Sequence, residues 1–202
     1  MQPSMTKEWY IAEKIPADID HALQRFPPLL RQILYNRNFQ REDEALAYLE
    51  ARPPQGNQPE NLLGLSAAVD RIRFAIRRQE RIAIYGDYDA DGVTAAALLT
   101  QALRRLEADV RPYIPNRFDE GYGLNNDALD ALHDEGVRLV ITVDCGMRSR
   151  REAEHAREIG LDLIITDHHT PGAEELPAVA VINPKQPGDV YPEKNLAGVG
   201  IA

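Results

Sequence analysis

Residues 81–92 read Arg81-Ile82-Ala83-Ile84-Tyr85-Gly86-Asp87-Tyr88-Asp89-Ala90-Asp91-Gly92. The apolar run through Tyr85 predicts a short buried strand, and Gly86 with the aspartates after it predicts a turn. Beyond the turn, Leu99, Leu103 and Leu106 fall on one face of a helix. Working outward, the same alternation recurs. On the N-terminal side, Ser66 is placed to cap a helix carrying Val69, Ile72 and Ile76. On the C-terminal side come strand Val110–Ile114, a helix from the Asn125 cap to Gly136, and strand Leu139–Val143. A helix with Ala153, Ala156 and Ile159 follows, then strand Leu161–Thr166 and a shorter strand Val179–Ile182. Pro112 marks the second strand as an edge or a strand start. Strands alternating with helices predict an α/β domain with a parallel sheet covered by helices on both faces.

The segment Arg52-Pro53-Pro54-Gln55-Gly56-Asn57-Gln58-Pro59 holds three prolines and a glycine and cannot continue a helix or a central strand. It divides the chain into a small helical lead-in with its linker, residues 1–59, and the α/β domain, residues 60–202. In the lead-in, Leu29, Leu30, Ile33 and Leu34 keep helical spacing, and Ala45, Leu46 and Leu49 repeat it. The apolar stretch Leu196–Ala202 has no turn or charged tail, which predicts that the natural chain continues. A single cysteine, Cys145, rules out an intramolecular disulfide and a cysteine-based zinc site. No apolar run approaches a membrane span, and residues 1–5 lack a signal pattern, so a soluble cytoplasmic protein without membrane contact is expected. With 32 acidic and 23 basic residues the net charge is −9, which argues against a basic nucleic-acid-binding surface over the whole chain. It leaves room for a carboxylate cluster that collects cations.

In parallel sheets, ligands gather beyond the carboxyl ends of the strands. Three predicted strands run directly into Asp87, Asp89 and Asp91, into Asp144, and into Asp167-His168-His169, so five aspartates and two histidines converge on one rim. Carboxylates so gathered repel unless cations or protons offset their charge. Oxygen and imidazole donors without thiolates suit Mn²⁺ or Mg²⁺, and a bridging carboxylate allows two metals. Plainer readings exist for each element. Asp87-x-Asp89-x-Asp91-Gly92 matches the start of a calcium loop, but Leu98 stands where such a loop needs a bidentate glutamate. Asp91, nearest Thr94, is expected to cap the following helix. Cys145 reads as a small buried residue. In the loop 115–125, Arg117 can fork onto a phosphate or pair with Glu120 in a surface turn.

Taken in order, Tyr85-Gly86-Asp87-Tyr88-Asp89-Ala90-Asp91-Gly92, Asp144-Cys145-Gly146 and Asp167-His168-His169 resemble the motifs of the DHH phosphoesterase superfamily. With Pro115-Asn116-Arg117 and Glu120-Gly121-Tyr122-Gly123, the chain is similar to the bacterial single-stranded-DNA-specific exonucleases of that superfamily. Pro28-Leu29-Leu30, Glu44-Ala45 and Asp70-Arg71-Ile72 extend the likeness into the lead-in.

The resemblance implies metal ligation by Asp87, Asp89, Asp144 and His168, with His169 as a ligand or phosphate contact and with Asp91 and Asp167 in support. It implies two divalent cations, Mn²⁺ or Mg²⁺, and substrate contacts from Arg117, Gly121, Tyr122 and Gly123. The implied activity is degradation of single-stranded DNA from its 5′ end in repair and recombination, with a single-strand-binding protein and a helicase as partners. Members of the family carry a further aspartate ligand and further domains downstream, so an N-terminal part of such an enzyme is expected here. Superfamily pyrophosphatases and oligonucleotide or cyclic-dinucleotide phosphodiesterases resemble His-x-x-x-Asp-x-Asp at the first motif. Ala83 at the histidine position, with Cys145-Gly146 after Asp144, favours the exonuclease. A metal-binding fragment without catalysis is the second competing expectation.

Overall fold

The structure, a computed structural model, describes residues 10–52, 56–116, 118, 121 and 123–202. The chain divides into two units, Met1–Pro54 and Gln55–Ala202. Among the described residues the first carries three short helices, α1 (Ala17–Ala22), α2 (Pro28–Asn36) and α3 (Glu42–Leu49). Pro28 opens α2, where its missing N–H costs nothing, and Glu42, Asp43 and Glu44 suit the positive end of the α3 dipole. Leu23, Phe26, Leu34 and Ala45 form a small core. Leu29, expected on the apolar face, is 75% exposed, because a core this small covers only part of each helix.

In the second unit, α4 (Leu65–Arg78) leads into strand β1 (Arg81–Gly86). There follow α5 (Ala90–Arg105), β2 (Val110–Tyr113), α6 (Asn126–Asp134), β3 (Val137–Val143), α7 (Arg150–Glu158), β4 (Asp162–Thr166), β5 (Ala180–Ile182) and α8 (Gly198–Ile201). All neighbouring strands pair in parallel, in the order β2-β1-β3-β4-β5. Pro112 lies on the edge strand β2, where its missing donor interrupts no second ladder.

Strand side chains alternate between two cores. Ile82, Ile84, Leu139, Ile141 and Ile164 pack with Ala68 and Ala75 of α4 and Ala95, Ala96 and Leu103 of α5. Ala83, Tyr85, Val140, Leu163 and Ile165 point the other way, onto Ala128, Leu129 and Leu132 of α6 and Ala153 and Ala156 of α7. Helices therefore cover both faces, as the alternation predicts. Asn125 caps α6 as expected, accepting from Ala128 N at 2.7 Å. Ser66 does not cap α4. Gly64 holds the N-cap position at φ 86°, and a Cβ there would lie 2.4 Å from the Val181 carbonyl oxygen, so only glycine fits the approach. Among the described residues, no helix is long and apolar enough to cross a membrane.

Ile141, 1% exposed in the central strand, should bear much of the unit's stability. Replacing it with alanine is expected to cost about 2–5 kcal/mol, read from the denaturant midpoint at constant m-value. A cost below about 0.5 kcal/mol would contradict this packing.

Candidate metal centre

Register places the polar residues. Gly86 is paired with Val143, Val143 with Thr166, and Thr166 with Ile182, so the next residues, Asp87, Asp144, Asp167 and Asn183, start in one row at the carboxyl edge of the sheet. All four are buried, at 5%, 1%, 2% and 0% exposure respectively. Asn183 belongs to this row although the sequence reading passed over it. Its position directly after an apolar strand was the available signal.

The first strand turns sharply into α5. Asp89 is the N-cap, its Oδ1 accepting from Asp91 N at 2.9 Å and Gly92 N at 3.0 Å. Asp91, expected in that role, does not hold it, because only Asp89 has the extended backbone that aims a side chain back at the first free N–H groups. Asp91 instead accepts from Gly198 N and Val199 N at 2.7 and 2.8 Å. The turn depends on Gly92, where a Cβ would come within 2.5 Å of the Asp87 carbonyl oxygen.

Asp144 ends β3 in the left-handed region, at φ 62°, with its N–H donating to the Thr166 carbonyl at 3.1 Å. Thr166 Oγ1 donates to the Thr142 carbonyl, and Thr142 Oγ1 to the Cys145 carbonyl, each at 2.8 Å. Hydrogen bonds from both neighbouring threonines thus shape the turn that presents Asp144. Cys145 is buried, and burial pushes its thiol well above the usual range. It is the inert small residue expected.

Asp167 organises the histidines. Its Oδ1 accepts from His168 N, His169 N and His169 Nδ1 at 2.7, 3.0 and 2.7 Å, and Oδ2 accepts from Met147 N at 2.9 Å. A carboxylate can only accept, so the proton of a neutral His169 sits on Nδ1 and its Nε2 keeps the lone pair. From beyond β5, Asn183 Nδ2 donates to the His169 carbonyl at 2.9 Å and Lys185 Nζ to the His168 carbonyl at 2.7 Å.

Among the described residues two groups of donor atoms result, each within 4.8 Å: Asp87, Asp89 and Asp144, and Asp144, His168 and His169. Asp144 belongs to both. His168 Nε2 stands 3.0 Å from Asp144 Oδ1, yet this buried oxygen has no hydrogen-bond partner among the described residues. Burial first, then the charges of Asp91 and Asp89, pushes the Asp144 carboxyl up to about 7 from its ordinary 3.8. An orphaned buried oxygen beside imidazole nitrogens and two more carboxylates is a donor set that fits hard or borderline divalent cations.

A cavity of about 500 Å³ adjoins His169, lined also by Gly123, Leu124, Met147, Arg148 and Thr170 among others. Arg148 Nε donates to the Thr170 carbonyl at 3.2 Å, which fixes the guanidinium at the cavity wall. Of the expected substrate contacts, Gly123 lines this cavity and Gly121 is exposed. Arg117 and Tyr122 lie outside the described residues.

Residues 81–202 match the family model described as the DHH family, N-terminal domain. The chain is 47% identical over 175 residues to the single-stranded-DNA-specific exonuclease RecJ of Bacillus subtilis (strain 168), covering 87% of this chain and 22% of that protein. It is 43% identical over 179 residues to RecJ of Escherichia coli (strain K12), covering 87% and 30%. A crystal structure of exonuclease RecJ bound to manganese superposes with a TM-score of 0.65 at 39% identity, covering 73% of this chain and 37% of that one. The chain thus spans less than a third of the length of these two curated relatives.

The raised Asp144 carboxyl sets a pH signature for the metal-free protein. Between pH 3.8 and about 7 the unfolded chain loses this proton while the folded chain keeps it, so Asp144's contribution to stability is complete below 3.8 and lost by about 7. Asp144→Asn, neutral at every pH, should match the wild type in thermal unfolding with chelator at pH 4 and exceed it at pH 8. A difference in Tm that is the same at both pH values would refute the assignment.

Proposed function

The chain belongs to the DHH family, and from that premise we propose that it is the N-terminal part of a metal-dependent phosphodiesterase that removes nucleotides from the 5′ end of single-stranded DNA. The observation that carries the reading is the membership of Asp144 in both donor groups, because one buried carboxylate shared between two sets can serve a pair of cations. The similarity to RecJ exonucleases supports the substrate class, and the manganese in a related crystal structure supports the choice of Mn²⁺ or Mg²⁺.

In this reading Asp87, Asp89, Asp144, His168 and His169 hold the cations. Bound there, divalent cations supply Lewis acidity, neutralising charge on a phosphoryl group and making a nearby water easier to deprotonate. The protein's own contribution is preorganisation. Asp167 sets the tautomer and orientation of His169, as a carboxylate behind a ligating imidazole does. Asp89 spends Oδ1 on the helix cap and leaves Oδ2 for the site. Arg148, held by Thr170 at the wall of the adjoining cavity, is placed to fork onto the phosphate of a neighbouring nucleotide, while Leu124 and Met147 offer apolar surface to its base. Arg117, Gly121, Tyr122 and Gly123 complete the proposed substrate contacts. A single-strand-binding protein and a helicase suit this substrate as partners in the cytoplasm.

Release of mononucleotides from labelled single-stranded DNA should require Mn²⁺ or Mg²⁺ and fall at least about a hundredfold in Asp89→Ala, which removes both cap and ligand. Arg148→Ala should raise KM for an oligonucleotide about tenfold, the worth of one charge-assisted hydrogen bond, with little change in kcat. Turnover by a longer protein containing residues 1–202, with none by these residues alone, would assign an essential part of the site to later segments. Undiminished turnover in Asp89→Ala would end the proposal.

A further inference from the structure

Asp167 secures His168 and His169 through their N–H groups, which leaves the carbonyl end of each residue to be held by something else. That hold comes from the neighbouring strand. Beyond β5 the chain closes a turn in which Gln186 N donates to the Asn183 carbonyl at 3.0 Å, with asparagine first and proline second, as such turns favour. Pro184 has no N–H to lose and fixes its own φ, so the turn is stiff. Gln186 Nε2 donates back to the Val181 carbonyl at 2.9 Å, which ties the turn to β5 itself.

Two side chains of this turn reach the histidine backbone. Asn183, 0% exposed, uses both ends of its amide: Nδ2 donates to the His169 carbonyl at 2.9 Å, and Oδ1 accepts from Lys185 N at 2.9 Å. A carbonyl can only accept and a backbone N–H can only donate, so neither an ionised aspartate nor a reversed amide would make both bonds. Lys185 turns back toward the sheet, and its Nζ donates to the His168 carbonyl at 2.7 Å. His168 and His169 are therefore gripped at N–H by Asp167 and at C=O by Asn183 and Lys185. This grip carries the His168 ring, whose Nε2 stands 3.0 Å from Asp144 Oδ1 and 3.7 Å from Asp91 Oδ2.

We propose that Asn183 and Lys185 are positioning residues for the metal centre: acting through the backbone carbonyls of His169 and His168, they set how far the two imidazoles reach toward Asp144. The proposal rests on the reading of the donor groups as cation sites. It gives β5, only three residues long, a task at the centre, since this strand delivers Asn183 to the row.

Three variants and two measurements on the 202-residue chain test it. Lys185 is exposed, so Lys185→Met and Lys185→Arg leave the core untouched, whereas Asn183→Leu keeps the branched shape and removes both donor and acceptor. In metal-free protein the backbone carbonyl ¹³C signal of His168 is expected to move in Lys185→Met, and that of His169 in Asn183→Leu, with Lys185→Arg close to the wild type. By calorimetry, Mn²⁺ affinity is expected to fall at least about tenfold in Asn183→Leu, as loss of a partner behind a metal ligand does, and less in Lys185→Met, with Lys185→Arg restoring it. A lowered Tm in Asn183→Leu, with the His169 carbonyl signal and Mn²⁺ affinity unchanged, would make the turn a structural staple and overturn the proposal. A loss of affinity in Lys185→Met that Lys185→Arg does not restore would overturn the part given to Lys185. Failure of the wild type to take up Mn²⁺ would instead remove the cation reading, and the metal-free carbonyl signals would still decide whether Asn183 and Lys185 hold the histidines.

Discussion

Gathering Asp87, Asp89 and Asp144 donor atoms within 4.8 Å sets the central constraint, because like charges raise one another's energy, most of all at the buried Asp87 and Asp144. The fold meets it in two ways. Neighbouring carboxylates accept from backbone N–H groups, as Asp91 and Asp167 do. The one left without a hydrogen-bond partner among the described residues, Asp144, is pushed toward its neutral form.

Everything that positions these groups follows from the parallel sheet. Matched register brings Asp87, Asp144, Asp167 and Asn183 to one edge, and burial on both faces keeps the strands from shifting. Slipping a strand by one residue would exchange its two cores, so the register is held by the same apolar side chains that stabilise the unit. The edge itself is stiffened by side-chain to backbone bonds from Thr142, Thr166 and Asn183. Close backbone approach at Gly92 and Gly198 then removes the remaining freedom, since at each site a Cβ would collide with Asp87 or Asp144. The family match and the likeness to RecJ proteins place this arrangement in the DHH family.

Much of this was legible before the structure. The strand positions agree to within two residues, because uninterrupted apolar runs bounded by polar turns leave little choice of pairing segment. The missing donor of Pro112 marked the second strand as an edge or a strand start, and it is an edge. The convergence of aspartates and histidines followed from the rule that loops after parallel strands share one rim. Capping was less legible. Asn125 was read correctly, whereas Ser66 and Asp91 were not, since a cap depends on the backbone angles of one residue and on competing partners elsewhere.

By itself, then, the amino-acid order determined the α/β alternation, the two-sided burial of the sheet, the absence of cysteine staples and the cluster of hard donors at the strand ends. Periodicities of 2 and 3.6 residues, and the chemistry of each side chain, are local properties that any reader of the chain can see. Only the tertiary structure decided that Asn183 joins the row, that Asp144 serves both donor groups, and that Asp91 reaches across 107 residues to Gly198. Those relations arise from how separate elements pack, and no local pattern carries the distance between residues that meet only after folding.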